Sequence, residues 1–113
     1  MTIQPNFAAG LRELGILQAQ QQNYPDAAKN LSRAVDLGLG DARLFNFLGI
    51  AYSRTARQQQ AIGAYRKALQ LDPQLAEAHL NLAYAYEQVK NKLAGQEYRE
   101  ACRLRSDFCR FVK

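Results

Sequence analysis

A residue pattern that returns about every 34 positions constrains the fold of this 113-residue chain more than any other feature. The middle copy starts at Ala42 and shows the pattern most fully, with Phe45, Leu48, Gly49, Tyr52, Ala61, Tyr65, Ala68 and Pro73. The copy before it starts at Ala8 and supplies Leu11, Leu14, Gly15, Ala27, Leu31 and Ala34. That copy departs from the pattern at Gln18, where the tyrosine belongs, and at Leu39, where the proline belongs. Joint recurrence of several residue types at fixed spacing indicates a structural repeat.

The third copy starts at Ala76 and keeps the register of the pattern at His79, Leu82, Ala83 and Tyr86. Its later pattern residues each arrive one position early, at Ala94, Tyr98 and Ala101. We therefore expect the turn around residues 90–92 to have lost one residue.

Each copy contains two windows in which apolar residues recur every three or four positions, which predicts two amphipathic helices. The predicted helices span residues 7–21, 25–37, 42–55, 58–71, 75–88 and 92–105. No strand is needed. We expect Asn6, Asp41 and Asp72 to cap the first helix of each copy, and Gly38 and Gly40 to end the second helix of copy one.

Small residues recur at two positions of the pattern and predict a close approach of the paired helices. Gly15, Gly49 and Ala83 are expected to face Ala27, Ala61 and Ala94, respectively. The tyrosines at 52 and 86 are large enough to bridge one helix pair and the next, which is how repeats that cannot bury an apolar face alone become stable in an array.

These motifs resemble the tetratricopeptide repeat (TPR) family, whose signature is an aromatic, Leu-Gly, Tyr, then Ala, aromatic, Ala and Pro at these spacings. The resemblance covers roughly residues 8–106. It implies an all-α fold, an α-solenoid wound as a right-handed superhelix from three TPR helix-turn-helix repeats, with six antiparallel helices plus a short C-terminal tail. The implied organisation is a single TPR domain over 1–113, with repeats at about 8–41, 42–75 and 76–106 and a tail at 107–113.

The resemblance also implies a function, because the first helix of each TPR repeat lines a concave groove that holds a peptide or a partner helix. We therefore expect a non-catalytic scaffold for protein binding. Carried over one by one, the groove positions are Arg12, Ile16, Gln20, Arg43, Asn46, Phe47, Ile50, Arg54, Asn81, Tyr84 and Gln88.

Four of these residues carry more specific expectations. Tyr84 should be exposed, since Leu82 and Tyr86 already take the packed positions beside it. Phe47 fits either the groove or packing against the neighbouring helix. Asn46 and Asn81 are candidates to bond a peptide backbone, because a side-chain amide both donates and accepts.

Some TPR domains hold the acidic C-terminal peptide of a chaperone through a clamp of cationic and amide side chains. The corresponding positions here are Arg12, Ile16, Phe47, Glu77 and Asn81. Glu77 reverses the charge where a terminal carboxylate would lie. A chaperone C-terminal peptide is therefore not the expected ligand.

The sequence offers no catalytic set and implies no cofactor or metal. The single histidine, His79, stands at an aromatic position of the repeat, which favours a packing role. Phosphate-binding glycine loops, zinc-binding His-Glu motifs and calcium-binding loops are missing from the sequence. We expect that the protein is not an enzyme.

The net charge of +5 is concentrated near the C-terminus, where residues 90–113 hold seven basic and three acidic side chains. Mixed charges of this kind are typical of a solvated helix face. Nucleic acid is not the expected partner, but an RNA-binding helical repeat that uses the basic C-terminal half is an alternative. Without a signal peptide or an apolar run long enough for a membrane span, a cytoplasmic location is expected and membrane insertion is not.

Cys102 and Cys109 lie about 10.5 Å apart along the axis of a continuous helix, which is too far for a disulfide. Only a chain reversal near Ser106 and Asp107 joins them. The apolar residues of the tail, Phe108, Phe111 and Val112, are expected to fold back near Tyr98 and Cys102 or to bury themselves in a second copy. Homo-oligomerisation through this end is therefore a further alternative.

Overall fold

The structure, a computed structural model, describes residues 7–112 of the chain. Six α-helices and one 3-10 helix follow each other in this range, and residues 7–112 contain no strand. The α-helices are α1 (Phe7–Gln20), α2 (Tyr24–Asp36), α3 (Ala42–Arg54), α4 (Gln58–Leu71), α5 (Ala76–Gln88) and α6 (Ala94–Leu104). The 3-10 helix spans Ser106–Phe111. The predicted all-α fold is confirmed, and the predicted cap Asn6 lies outside the described residues.

The helices form an elongated α-solenoid that measures 54 × 25 × 21 Å. The tightest packing joins α1 to α2, α3 to α4 and α5 to α6, so each pattern copy forms one helix pair. Neighbouring pairs meet where α2 contacts α3 and where α4 contacts α5. The first helices of the pairs also touch, α1 with α3 and α3 with α5, and therefore share one face of the solenoid.

Three adjoining apolar clusters make up the core along this array. One contains residues of α1, α2, α3 and α4 and extends to Ala78 of α5. Its centre is formed by Leu31 and Leu44, which are both fully buried. Another joins α3, α4, α5 and α6 around Tyr65 and Tyr86. Tyr52 packs against all three clusters, which confirms that this tyrosine bridges successive helix pairs.

Two glycines allow the paired helices to approach closely. A Cβ added at Gly15 would lie 2.6 Å from Cγ of Leu31, and one added at Gly49 would lie 2.5 Å from Cε1 of Tyr65. The close approach is as predicted, but the atoms nearest to the added Cβ belong to Leu31 and Tyr65 and not to the expected partners Ala27 and Ala61. Each glycine instead faces the large residue one turn further along the second helix, since side chains of a helix cover the turn before their own Cα.

The turn inside each pair repeats with the period of the sequence. Gln22, Ala56 and Lys90 have φ angles of 65°, 63° and 58°, so each ends its helix in the left-handed region. The backbone amide that follows each of them bonds back to a carbonyl five residues earlier, with Asn91 donating to Tyr86 in the third pair at 2.8 Å. The turn of the third repeat is therefore intact through residue 91.

The residue missing from the third repeat is absorbed at the start of α6. The amides of Ala27 and Ala61 bond carbonyls four residues earlier, whereas the amide of Ala94 bonds the carbonyl of Asn91, three residues earlier. A three-residue bond is the tighter 3-10 geometry. The predicted shortening is real, and it lies just after Asn91.

The predicted helix ends agree with the structure in part. The Asp41 carboxylate accepts a bond from the Leu44 amide at 2.8 Å and caps α3. Gly38, with a φ of 105°, ends α2 as expected, and the Leu39 amide bonds the Ala34 carbonyl. The predicted cap Asp72 is wrong, because α5 begins at Ala76 and the Asp72 carboxylate bonds the Gln74 amide instead.

The chain reverses after α6 and returns along it. Arg105 is extended, with φ −141° and ψ 115°, and Ser106 together with the described part of the tail packs against α6. The reversal brings Cys102 and Cys109 to a Cα–Cα distance of 4.3 Å, and a disulfide joins them. The sequence left the pairing of the cysteines open, and of its two alternatives the structure shows the chain reversal and not a helix continuous through Cys109, because α6 stops at Leu104.

Candidate functional site

One cavity on the face shared by the first helices brings together four of the eleven predicted groove residues. Ile50 and Arg54 of α3 and Asn81 and Tyr84 of α5 line a cavity of about 440 Å³. The remaining lining residues are Ser53, Gln58, Tyr65, Leu80, Tyr98 and Phe111. Tyr84 is 52% exposed, which confirms the expectation for this residue.

Sequence reasoning did not place Phe111 in this cavity. The residue was expected to fold back near Tyr98, but the carried-over groove positions all lie on first helices. The apolar spacing of Phe108, Phe111 and Val112 after the end of the repeats was the available signal.

An amide pair joins α3 to α5 beside the cavity. The Asn81 side-chain amide donates to the Asn46 side-chain oxygen at 3.1 Å. Asn46 is only 8% exposed, whereas Asn81 is half-buried and reaches the cavity. Asn81 keeps its own carbonyl oxygen and one amide hydrogen for a ligand. Of the two asparagines expected to bond a peptide backbone, only Asn81 has an accessible side chain.

Two arginines of α3 lie over aromatic rings. The Arg43 guanidinium is 5.4 Å from the ring centre of Phe47, and that of Arg54 is 5.6 Å from the ring centre of Tyr24. Within residues 7–112 neither guanidinium forms a salt bridge with a carboxylate. Cation–π contact leaves the edge of a guanidinium able to donate hydrogen bonds.

In contrast to these arginines, the carboxylates near the face shared by the first helices have polar partners. Glu77 pairs with Arg105 at 3.2 Å, and Glu87 accepts a bond from the Tyr98 hydroxyl at 2.7 Å. Burial of the phenol, and next the Glu87 carboxylate, raise the pKa of Tyr98 far above its ordinary value. The phenol therefore stays neutral and keeps donating.

The α1 part of the predicted groove differs from expectation. Ile16 is 3% exposed and packs in the core with Leu44 and Leu48, so its assignment to the groove is wrong. Arg12 is engaged with Asp41, at 2.6 Å from Nε, and with Glu13. Gln20, the last residue of α1, and Gln88, the last of α5, are exposed.

The pair of Arg12 with Asp41 ties α1 to the start of α3. Burial by itself would raise the pKa of the Asp41 carboxyl, but the Arg12 bond and the Leu44 amide outweigh it and hold the pKa below its usual value. A carboxylate that stays ionised also suits the positive end of the α3 helix dipole. Arg12 thus has a structural role.

His79 bridges three elements of the third repeat. Its Nδ1 lies 2.6 Å from a Glu97 carboxylate oxygen on α6, and its Nε2 lies 2.8 Å from the Pro73 carbonyl before α5. Among residues 7–112 no cluster of three or more His, Cys, Asp or Glu side chains is arranged to hold a metal ion. His79 joins the α4–α5 connection to α6.

A larger cavity, of about 570 Å³, lies off this face between α2 and the α3–α4 turn. Its charged lining consists of Lys29, Arg33, Asp36 and Arg57. Tyr52 is the one aromatic residue in the lining of this cavity, and its side chain packs against the core clusters. We favour the smaller cavity as the site because it combines three groups. These are the exposed ring of Tyr84, the accessible amide of Asn81, and the guanidinium of Arg54, which forms no salt bridge within residues 7–112.

No helix within residues 7–112 is both long and apolar enough to cross a membrane.

Comparison with known proteins agrees with the repeat and the fold. The family model described as TPR repeat matches residues 57–90. The tetratricopeptide repeat domain-containing protein PYG7, chloroplastic, from Arabidopsis thaliana is 34% identical over 87 residues, which are 74% of this chain and 29% of that protein. The chain thus spans less than a third of that relative's length.

Solved structures resemble the whole solenoid. The crystal structure of MamA superimposes with a TM-score of 0.87 at 26% identity, covering 94% of this chain and 63% of that one. PcrH in complex with the chaperone binding region of PopB superimposes with a TM-score of 0.79 at 23% identity, covering 90% and 83%. The family model, the PYG7 match and the superposition with MamA, together with the repeat pattern, show that the chain belongs to the tetratricopeptide repeat family.

Proposed function

We propose that the face formed by α1, α3 and α5 is a groove that binds a peptide or a helix of a partner protein, and that the chain is a non-catalytic scaffold. The observation that carries this proposal is the convergence of Ile50, Arg54, Asn81 and Tyr84 on one cavity. TPR proteins are in general protein-interaction modules, which supports the proposal. We place the domain over 1–113, with repeats at about 8–41, 42–75 and 76–106 and the tail at 107–113.

The cavity offers the three kinds of contact that hold an extended chain. Ile50 and the exposed ring of Tyr84 accept an apolar side chain, and such aromatic anchors are typical of interface hot spots. Asn81 offers a donor and an acceptor to a peptide backbone. Arg54 in the cavity favours acidic groups on the ligand, and Arg43, outside the cavity near the start of α3, adds positive charge to the same helix. The structure of PcrH with a region of PopB supports protein binding as the general role of this fold.

The two alternatives from the sequence, RNA binding by the basic C-terminal half and homo-oligomerisation through the C-terminal end, have less support. In the basic C-terminal half, Arg103 pairs with Glu100, and Arg105 pairs with Glu77 and Asp107. This pairing reduces the positive field available to RNA. The tail packs against α6, so its apolar residues are partly covered without a second copy.

A cytoplasmic location is compatible with the Cys102–Cys109 bridge if the bridge opens and closes. Disulfides in the cytosol are usually transient, whereas permanent ones are typical of oxidising compartments. We retain the cytoplasmic proposal on this condition.

Affinity capture with matched variants tests the groove. The chain carrying Arg54→Glu and Tyr84→Ala is compared with wild type and with a chain carrying Arg66→Glu and Leu71→Ala. The second pair makes the same kinds of change on α4, where Arg66 is exposed and Leu71 is 49% exposed. We expect partner proteins to be lost only from the groove variant. Retention of every partner by that variant would refute the proposal.

A further inference from the structure

The disulfide fixes the tail to the last turns of α6. Cys102 lies inside α6 and Cys109 lies in the 3-10 helix that follows the reversal at Arg105. These are the chain's two cysteines, so the sequence permits one intramolecular pairing only. Both are half-buried and lie near the surface, within reach of a small reductant.

The tail also reaches into the groove. Phe111 lines the cavity together with Tyr84 and Ile50, two of the groove residues. Phe108 supports Phe111 edge to face, with ring centres 6.3 Å apart. Arg105, at the reversal, pairs with Glu77 in the first turn of α5. The chain's own aromatic side chain thus forms part of the wall of the cavity to which the proposed function assigns a ligand, and withdrawal of its ring would enlarge that cavity.

Besides the bridge, packing against α6 and exposed polar contacts hold the tail in this position. None of the residues of the 3-10 helix is fully buried. The Arg105–Glu77 pair is exposed on both sides, and such pairs contribute little. A terminal segment without a fully buried residue opens locally at lower cost than the core. The position of Phe111 therefore depends on the covalent bridge.

We infer that the tail is an internal ligand of the groove, and that the Cys102–Cys109 disulfide is the latch that keeps Phe111 in the cavity. Opening the latch releases a slot for an aromatic or other large apolar side chain of a partner. This inference rests on the proposed function, because the slot is part of the proposed groove. It adds the side-chain chemistry of the ligand and the redox control of its access.

Opening the latch is a two-electron thiol–disulfide exchange. One thiolate of a dithiol reductant attacks a sulfur of the bridge, so that a mixed disulfide forms and the other protein sulfur leaves as a thiolate. The second thiol of the reductant then attacks the mixed disulfide and displaces the remaining protein sulfur. The reductant becomes a cyclic disulfide, and the two protein sulfurs each gain a proton. Oxidation by a disulfide donor reverses the step.

Nuclear magnetic resonance titration with N-acetyl-phenylalaninamide, a minimal mimic of Phe111, tests the latch on the full chain. We expect saturable shifts at Ile50, Asn81 and Tyr84 in the reduced protein. Binding to the oxidised protein should be about tenfold weaker, which corresponds to a cavity that is open roughly a tenth of the time. Reduction alone should shift the same resonances in the direction produced by Phe111→Ala.

Three variants distinguish release of Phe111 from a general destabilisation of the protein on reduction. Oxidised Phe111→Ala should bind the mimic as well as reduced wild type does. Val112→Ala, a change in the tail outside the cavity lining, should keep the redox response. A chain with Cys102→Ser and Cys109→Ser should bind in both conditions, with unchanged resonances in α1 and α2.

Equal affinity and equal cavity resonances in oxidised and reduced protein would overturn the latch, as would failure of oxidised Phe111→Ala to bind. These outcomes are distinct from failure of the proposed function. A captured partner that binds through the groove with the same affinity in both redox states leaves the groove in place and removes the latch. Redox-dependent shifts at Ile50 and Tyr84 in a chain that captures no partner support the latch and count against the groove.

Discussion

The Asn81 side-chain amide donates a hydrogen bond to the side-chain oxygen of Asn46 at 3.1 Å, and this bond joins α5 to α3 beside the groove. Asn46 is the one polar side chain in the buried core of the described residues. A buried amide oxygen needs a partner, since leaving it unpaired costs more than the bond itself contributes. The pair therefore fixes how the second and third repeats meet.

The amide pair predicts strong coupling between its two members. Asn81→Leu should lower the free energy of unfolding by about 1 to 3 kcal/mol, because it leaves the Asn46 oxygen without a partner. Adding Asn46→Leu should recover much of this loss, since both polar groups are then gone. Urea denaturation of the four chains in a double-mutant cycle measures the coupling. Strictly additive effects would show that the bond does not join the repeats.

Gly49 is predicted to tolerate no side chain. A Cβ there would lie 2.5 Å from the Tyr65 ring, so Gly49→Ala should lower the free energy of unfolding by about 1 to 3 kcal/mol. Gly63→Ala is the matched control, because nothing lies within 4 Å of an added Cβ there. That change, on the exposed side of α4, should stabilise by about 0.5 to 1 kcal/mol. Thermal unfolding followed by circular dichroism compares them, and equal effects of the two changes would contradict the close approach.

Asp41 is predicted to contribute both a cap and an ion pair. Asp41→Ala should lower the free energy of unfolding by about 1 to 2 kcal/mol at neutral pH, mostly through the lost cap. Asp41→Asn keeps a capping oxygen and removes only the charge that pairs with Arg12. Because the Asp41 side chain is 48% exposed, this change should lower the free energy of unfolding by at most about 1 kcal/mol.

The pH dependence of this pair follows from the lowered pKa of Asp41. A carboxylate with a depressed pKa in the folded protein stabilises the fold fully above its ordinary value of 3.8, and the contribution disappears as pH falls through the lower folded value. The stability difference between wild type and Asp41→Asn should be constant from about pH 7 to 5 and shrink below about pH 4. Urea denaturation at several pH values measures it, and a difference that grows in acid would contradict the assignment.

The repeat pattern predicted the helices and their pairing because each feature recurs in more than one copy. The left-handed turn residues at 22, 56 and 90 share one position although their side chains differ, since the backbone geometry of the pair demands that conformation. Where the copies diverge in sequence, the pattern predicted the helix ends less well. In the connection before α5, Asp72 bonds the local backbone at Gln74 and leaves the helix start to Leu75.

The predicted groove residues meet at one cavity in the central part of the proposed groove, and they diverge from expectation in α1. A repeat position identifies a helix face, but it does not give the rotation of α1 about its own axis, and Ile16 turns into the core beside Leu44. The position of Arg12 likewise did not reveal that Asp41, 29 residues later, lies beside it. The end of α6 at Leu104 lies one residue from its predicted end, but no glycine or proline follows to mark a reversal of the chain, so the pairing of Cys102 with Cys109 stayed open.

Resonance mapping of a captured partner on the labelled full chain tests the groove most directly. If the groove binds the partner, the largest shifts fall on Arg43, Ile50, Arg54, Asn81 and Tyr84, and exposed residues of α2 and α4 such as Lys29 and Lys67 stay unchanged. Shifts confined to the outer helices, with Ile50 and Tyr84 unmoved, would contradict the account.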